Sequence, residues 1–416
     1  MPEISSSKTK LGLWATTSLV VGNMIGAGIF LMPSALAVYG GISLLGWIFS
    51  AFGAFLMAII FSRLSKKLPG INGGPYAYTK AGFGDFMGFL VAWGYWISTW
   101  CTNATIAVSF VSALSTFVPV LNGTQMTNEI AAVGTGLAVI WFLTWINTRG
   151  IVASGNMQLI TTVLKLLPLV LVAIAGLFFI NTKNFIPFNI SGGSNFNAIT
   201  ATATMTLFAF LGIECATIPA GTVNNPEKTI PRATIAGTLI TTFVYILGTI
   251  SVLGIIPAAS LQKSVTPFAD AATKIFGSNS RYWISAGVAI AAFGALNGWI
   301  LVQGQIPYAI AKDKLFPGIF GKENKYGAPA SGMLIGSLLV SLIMMMNYTK
   351  GLVEQFKFLI LLSTLTSLVP YLFSMASYIV VRIKQKKIDN TNWLSSIIIS
   401  IPAFAFAFWA IAGSGQ

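Results

Sequence analysis

Two ionisable side chains lie within stretches of sequence that are otherwise apolar. Glu214 stands in "FAFLGIECATIPAG" and Lys165 in "TTVLKLLPLV", whereas the other nine acidic residues fall in loops or at the ends of apolar runs. A charge at the depth of a bilayer costs roughly 3 kcal/mol or more, so such residues normally face a cavity, a partner or a proton path. We therefore predict functional roles for both residues, against the alternative of a structural ion pair between them.

The residue types that support catalysis are scarce. The chain contains no histidine, which excludes histidine-based catalysis and histidine metal ligands. No Ser–Lys pair or paired carboxylates occur in the apolar runs, and two lone opposite charges do not make a hydrolase. Cys101 and Cys215 both lie in apolar stretches and indicate neither a disulfide nor redox chemistry. The sequence predicts no enzyme, no cofactor and no metal site.

The elements that must position Glu214 and Lys165 are membrane helices. The 416 residues are 55% hydrophobic and 8% charged, whereas soluble domains carry about 25% charged residues. Apolar runs of about twenty residues recur along the chain, each long enough to cross roughly 30 Å of hydrocarbon. We predict an all-α polytopic membrane protein, with a short amphipathic surface helix within 258–280. About eleven spans are predicted, at 12–38, 42–64, 86–118, 128–147, 154–181, 197–221, 232–256, 282–310, 331–347, 355–382 and 393–412.

The basic residues sort by side of the membrane. With the N-terminus placed in the cytoplasm, seventeen of the 24 lysines and arginines fall in cytoplasmic segments, six fall on the opposite side, and Lys165 lies between. This distribution follows the positive-inside rule and predicts a multi-pass protein of the cell (inner) membrane with a cytoplasmic N-terminus. It also explains the net charge of +14 without a nucleic-acid partner.

Two of the predicted spans contain helix-weakening residues at related positions. The first carries "GNMIGAGIF" (residues 22–30) and the sixth carries "LGIECATIPAG" (residues 211–221). Each interior glycine costs about 1 kcal/mol relative to alanine, and interrupted helices in matching halves point to a transporter site. Freed N–H groups and carbonyls there would suit the carboxylate and ammonium of a zwitterion. The alternative is that the glycines merely permit close helix packing.

Three segments resemble a known superfamily. "GNMIGAGIF", "FLGIECATIPAGTVNNPEKTIPRATI" and "ALNGWILVQGQIPYAIAKDKLFP" resemble the amino acid–polyamine–organocation transporters, most closely the basic amino acid/polyamine antiporters, which include the arginine–agmatine exchanger. The similarity covers residues 12–382. It implies a leucine-transporter-type fold with discontinuous helices 1 and 6. It also implies one transporter domain over 1–416, in which residues 12–181 and 197–382 are five-helix inverted repeats and 393–412 is an extra span.

The resemblance implies roles for individual residues as well. The family's carboxylate site matches Gly26, Ala27 and Gly28, and the carbonyls that take the α-amine match Met24, Phe208 and Leu211. Trp299 matches a tryptophan that packs along the substrate side chain, and Glu214 matches a glutamate that couples binding to gating. The wall at the distal end of the substrate matches Ser98, Thr99 and Asn103, with Ser363 and Ser367 as candidates from the tenth span.

The chain departs from the arginine exchangers at several points. Phe208 and Ala27 stand where those proteins typically carry tryptophan and serine. Because a guanidinium stacks best on tryptophan, Phe208 weakens the case for arginine. Lys165 matches a lysine of proton-coupled permeases at a place where sodium-dependent relatives bind a cation, which implies sodium independence and coupling through its deprotonation. The family usually has twelve spans, whereas eleven are counted here.

We therefore expect a sodium-independent secondary active amino acid transporter. It would exchange a cationic amino acid for its amine product or another amino acid by alternating access. One alternative is a proton-coupled uptake permease for neutral amino acids, and a second, of another class, is a channel or a membrane-embedded interaction protein. The expected partners are an amino acid or polyamine substrate, protons, bilayer lipid and a second copy in a homodimer, with no nucleic acid.

Overall fold

The computed structural model describes residues 10–26, 28–122, 126–264, 266–346, 352–385 and 390–413. These residues are helical over most of their length. The helices are α1 (Leu13–Met24), α2 (Gly28–Leu36), α3 (Ser43–Lys67), α4 (Pro75–Phe83), α5 (Asp85–Leu114), α6 (Met126–Asn147), α7 (Ile151–Gly176), α8 (Asn195–Leu207), α9 (Pro226–Ile255), α10 (Ala258–Leu261), α11 (Pro267–Phe276), α12 (Ser280–Lys312), α13 (Ala330–Met346), α14 (Leu352–Lys384) and α15 (Asn390–Gly413).

The predicted membrane spans coincide with these helices. Within the described ranges, ten helical segments are long and apolar enough to cross a membrane, and the shorter apolar α13 accounts for the remaining prediction. Large apolar side chains lie on the outside of the bundle, as a lipid-facing surface requires. On α15, for example, Leu394, Ile398 and Phe408 are each about 60% exposed. The chain is therefore a multi-pass helical membrane protein.

The segment 258–280 contains the predicted amphipathic helix. Helix α11 buries Phe268, Ala271 and Ala272 and leaves Lys274 exposed. The Phe268 ring packs edge-on against Phe30 of α2, with 5.5 Å between the ring centroids. This short helix therefore lies across the second half of the first span.

The first and sixth spans are both discontinuous, as predicted. Helix α1 ends at Met24, and Ile25 leaves the helical region with ψ of 78° before α2 begins at Gly28. Helix α8 ends at Leu207 and passes through one 3-10 turn to Leu211, which is extended with ψ of 131°. Gly212 then adopts φ of +112°, a conformation that side chains with a Cβ rarely reach. Short 3-10 turns complete the sixth span.

The two ends of the bundle are defined by loop contacts. At the end where α1 begins, called here the N-terminal face, Leu11 N donates to Thr222 O at 2.8 Å and Leu11 O accepts from Asn224 N at 2.9 Å. At the opposite end, called the far face, Ile42 N donates to Phe188 O at 2.8 Å. The bonds of Leu11 join the start of the first span to the end of the sixth.

Candidate functional site

A buried cavity lies between the two helix breaks. Its volume is about 30 Å³. The first span contributes Asn23, Met24, Gly26, Gly28 and Ile29, the sixth contributes Phe208, Ala209 and Leu211, α5 contributes Thr102, Thr105, Ile106 and Ser109, and α12 contributes Trp299. The cavity is thus walled by both breaks and by two continuous helices.

The break in the first span leaves main-chain groups without their helical partners. Gly26 N turns back and donates to Met24 O at 2.9 Å. The hydroxyl of Tyr245 on α9 lies 2.6 Å from Met24 O and 3.1 Å from Ala209 O, so this one phenol connects both breaks. Because a carbonyl has two lone pairs, Met24 O is fully occupied in this conformation.

Lys165 of α7 closes the open end of α1. Its side chain is fully buried, and its Nζ donates to Gly22 O at 2.5 Å and to Ile25 O at 2.6 Å. The last carbonyls of a helix lack intrahelical donors and carry the negative end of the helix dipole. The ammonium is therefore held where a small bound cation would also be stable.

Glu214 has different partners from Lys165. Its carboxylate is fully buried and accepts hydrogen bonds from the hydroxyls of Tyr95 on α5 and Tyr371 on α14. The Tyr371 hydroxyl also accepts from Gly212 N at 3.0 Å. The alternative of a structural ion pair between Glu214 and Lys165 is therefore wrong for this structure. Glu214 instead connects the sixth-span break to two continuous helices.

Two aromatic rings shape the cavity. Trp299 donates its indole N–H to Asn23 O at 3.2 Å, which holds the ring against the end of α1. The Phe208 ring lies against Gly28, where an added Cβ would sit 2.9 Å from Phe208 Cε1. This close approach is a packing reason for glycine at position 28, independent of the break itself.

Several residues predicted to contact substrate lie outside the cavity wall. Ser98 and Thr99 donate to carbonyls of their own helix, those of Tyr95 at 2.7 Å and Trp96 at 2.6 Å. Asn103 donates to Gln303 Oε1 at 2.8 Å. From the tenth span, the Ser363 hydroxyl lies 2.5 Å from that of Thr102, and Ser367 Oγ is buried with no hydrogen-bond partner among the described residues. Ala27 lies outside the described residues.

The cavity also contains residues that the sequence did not single out. The predicted Met24, Gly26, Gly28, Phe208, Leu211 and Trp299 all line it. Of the others, Thr102, Thr105 and Ser109 follow a spacing of three and four residues, which places them on one helix face. That spacing was a usable signal for a polar wall. The apolar Ile29 and Ala209 carried none.

A polar cluster on α4, α5 and the end of α12 lies at the N-terminal face. Asp313 accepts from the Tyr76 hydroxyl at 2.7 Å and pairs with Lys80 Nζ at 2.9 Å. Lys80 Nζ also lies 3.5 Å from Asp85. Gly73 N, just before α4, donates to Ile218 O of the sixth span at 2.9 Å. The 68–83 region therefore links the sixth span to the end of α12.

The pKa shifts of Tyr76 and Lys80 favour the protonated forms that donate to Asp313. Burial, and then the Asp313 carboxylate, raise the pKa of Tyr76 well above its usual value, so the phenol keeps its proton. Partial burial lowers the pKa of Lys80, but Asp313 and Asp85 outweigh it and the net pKa is raised. A raised lysine pKa stabilises the folded protein at pH values below the usual lysine pKa. This stabilisation is lost only as the pH rises through the raised pKa of the folded state. Lys80 is thus protonated at neutral pH and lies within ion-pair distance of Asp313 and Asp85.

Two helices that break inside a membrane and face each other across a cavity are the arrangement of a secondary transporter. Irregular main chain at membrane depth is tolerated only where it lines a cavity or is buried in protein. A solved Na⁺-coupled sialic acid symporter, in a substrate-bound outward-open state, has the same fold. The match covers 98% of this chain and 89% of that one, with a TM-score of 0.61 and 11% sequence identity. The fold is therefore of the leucine-transporter type.

The chain belongs to the amino acid permease family, whose model matches residues 11–414. A cadaverine/lysine antiporter of Escherichia coli (strain K12) is 34% identical over 417 residues, which cover 99% of this chain and 91% of that protein. An arginine/ornithine antiporter of Pseudomonas aeruginosa is 32% identical over 430 residues, covering 100% of this chain and 88% of the relative.

Proposed function

We propose that the protein is a sodium-independent antiporter. It exchanges a cationic amino acid for its amine product or for another amino acid by alternating access, and it catalyses no chemical reaction. The carrying observation is the pair of helix breaks that face each other across one buried cavity. The antiporter activity of relatives at 34% and 32% identity supports exchange rather than symport.

The cavity offers groups for both ends of an amino acid main chain. Helix α2 begins at Gly28, and the first N–H groups of a helix lack intrahelical partners and carry the positive end of its dipole, which suits a carboxylate. Phe208 O uses one lone pair for Leu211 N at 3.1 Å and keeps a second for an ammonium. Because Met24 O is already occupied, an amine that binds there has to displace the Tyr245 hydroxyl or Gly26 N.

A cationic side chain would extend along α5. Among the described residues, no carboxylate lines the cavity. The distal ammonium or guanidinium would therefore meet the hydroxyl-bearing face of Thr102, Thr105 and Ser109 and the ring of Trp299. A cation over an aromatic face gains about 0.5–2 kcal/mol, depending on how far it is desolvated. A wall without a fixed negative charge permits exchange of substrates of related shape, which suits an amino acid and its amine product.

Lys165 supports sodium independence. Its ammonium already occupies the carbonyl pair of Gly22 and Ile25, so a sodium ion is not needed to neutralise that helix end. Proton release from Lys165 during the cycle is the route by which protons would couple to transport. Glu214, held by Tyr95 and Tyr371, would sense occupancy of the neighbouring break.

The orientation follows the charge distribution. We propose that the N-terminal face is cytoplasmic and that the protein lies in the inner membrane. The whole chain would act as one transport domain, with inverted repeats at 12–181 and 197–382 and with homodimers as the resemblance implies. In this conformation the Asp313 cluster and the contact of Gly73 with Ile218 close the N-terminal face. Those contacts have to open when substrate is released on that side.

Counterflow in sodium-free proteoliposomes tests the proposal. Vesicles are preloaded with lysine, arginine, ornithine, cadaverine or a neutral amino acid, and uptake of labelled lysine and arginine is followed against protein-free vesicles. Saturable uptake that needs a preloaded cationic amino acid or diamine is the expected result. If cations are ignored and a pH gradient drives a neutral amino acid into empty vesicles, the protein is a proton-coupled permease. Uptake that does not saturate would indicate a channel.

A further inference from the structure

Four buried amide side chains form a continuous line of hydrogen bonds that ends at the cavity. They belong to Asn147 of α6, Asn297 of α12, Gln158 of α7 and Asn23 of α1, and all four are buried. Asn147 Nδ2 donates to Asn297 Oδ1 at 3.0 Å, and Asn297 Nδ2 donates to Gln158 Oε1 at 3.1 Å. Gln158 Nε2 then donates to Asn23 Oδ1 at 3.3 Å. The exchange mechanism described above makes no use of this amide line.

The direction of the amide line is fixed by main-chain carbonyls. Asn147 Nδ2 also donates to Leu143 O at 2.9 Å, and Asn297 Nδ2 to Ser154 O at 3.1 Å. Gln158 Nε2 reaches Ser18 O at 3.4 Å. A carbonyl oxygen only accepts, so each amide must turn its nitrogen toward its carbonyl. Asn23 is therefore forced to present its oxygen to Gln158.

Two glycines make room for the amide line. A Cβ at Gly22 would overlap the Gln158 amide, and a Cβ at Gly298 would overlap Asn23 Oδ1. Neither Gly22 nor Gly298 has the positive φ that would itself demand glycine. Their small size is needed because the buried amides of α1 and α7 pass directly over them. Gly22 therefore serves the contact with Gln158 rather than the break.

Asn23 is the member of the amide line that lies at the cavity. It precedes Met24 at the end of α1, lines the cavity, and accepts the Trp299 indole N–H on its main-chain oxygen. Its Nδ2 is buried and has no hydrogen-bond partner among the described residues. The neighbouring group is the thiol of Cys215, which is only a weak acceptor. Because Oδ1 is turned toward Gln158, the N–H donors of Nδ2 are the part of this amide that lacks a strong partner.

We propose that Asn23 donates to the carboxylate of an amino acid substrate and that Gln158 is the positioning residue that sets its amide for this purpose. The inference rests on the proposed function, since it concerns the carboxylate end of that substrate. A substrate without a carboxylate gains nothing from the donor. Gln158 therefore contributes to the affinity for the amino acid and not to the affinity for its decarboxylated amine.

The test compares lysine with cadaverine, which share a terminal amine and differ by the carboxylate. Exchange is measured in proteoliposomes for the wild type and for Gln158→Met, which keeps length and removes the amide. We expect the KM for lysine to rise about 2- to 10-fold, the effect of one hydrogen bond, and the KM for cadaverine to stay within about twofold. Gln305→Met, which removes another buried amide of α12, is the matched control and should leave both KM values unchanged.

A double-mutant cycle separates positioning from general stability. In an Asn23→Ala background, Gln158→Met should add little to the loss for lysine, because its target is gone. Gln158→Asn, whose shorter amide cannot reach Asn23, replaces Gln158→Met if that variant fails to insert, and should show the same preference. Equal losses for lysine and cadaverine, or additive losses in the cycle, would overturn the inference. Wild-type protein that transports neither compound would instead overturn the proposed antiporter function.

Discussion

Replacing Lys165 by methionine should strongly slow exchange without removing the protein from the membrane. Methionine has a similar length but no donor, so Gly22 O and Ile25 O lose the partners now at 2.5 and 2.6 Å. Each buried carbonyl left unpaired costs about 1–3 kcal/mol, or about 2–6 kcal/mol for both. Since methionine also avoids burying an ammonium, which costs several kcal/mol, we expect near-normal abundance. The lost hydrogen bonds should therefore destabilise the conformation of the first-span break rather than the folded protein.

Even the lower limit of about 2 kcal/mol corresponds to more than a tenfold change in an equilibrium between conformations. We therefore expect the initial rate of sodium-free counterflow to fall at least about tenfold, measured per reconstituted protein. Lys183→Met, at an exposed lysine beyond α7, is the control and should exchange normally. An initial rate for Lys165→Met within twofold of the wild type would refute the assignment of Lys165 to the end of α1.

Three further changes test the other contacts. Glu214→Gln replaces one carboxylate oxygen, which accepts a hydrogen bond from a tyrosine hydroxyl, with an NH₂ donor. Exchange should therefore slow about tenfold, while equilibrium binding of labelled substrate persists. Unchanged exchange would contradict a coupling role for Glu214. Gly28→Ala should raise KM several-fold, and Phe208→Leu should relieve this, because the added Cβ meets that ring; an unrelieved defect would point elsewhere. Asp313→Asn should weaken the ion pair with Lys80. Cysteines introduced on the N-terminal face should then react faster with a labelling reagent. The increase should not exceed about fivefold, because a partly exposed ion pair contributes little free energy.

The helices were predictable because each apolar run must satisfy its own main chain in lipid. Each of the eleven predicted spans overlaps a helix of the structure, and both interruptions were visible as glycine and proline clusters. The cavity residues on the breaks were named through the family resemblance to these two segments. What the pattern does not contain is the rotation of a continuous helix about its own axis. The family resemblance matched Ser98, Thr99 and Asn103 on α5, and in this conformation Thr102, Thr105 and Ser109 line the cavity.

The hydrogen-bond partners of the buried side chains were the second feature that the sequence alone did not predict. Lys165 and Glu214 were recognisable as intramembrane charges, but their spacing did not exclude an ion pair between them. Their partners are a helix end for Lys165 and two phenols for Glu214. These partners lie more than 100 positions away along the chain, so only packing in three dimensions assigns them. The side-chain partners of the four buried amides are equally distant along the chain, and no local motif predicts their hydrogen bonds.

The long sequence separations around the first break have a consequence for biosynthesis. Ile25 O receives its donor from Lys165, 140 positions later, and Met24 O receives one from Tyr245, 221 positions later. At about 5–20 residues per second, a ribosome needs roughly 10–45 s to reach Tyr245 after making Met24. During that interval the break of α1 must find temporary donors or stay outside the hydrocarbon. The break in the first span is therefore completed only after α9 has been made.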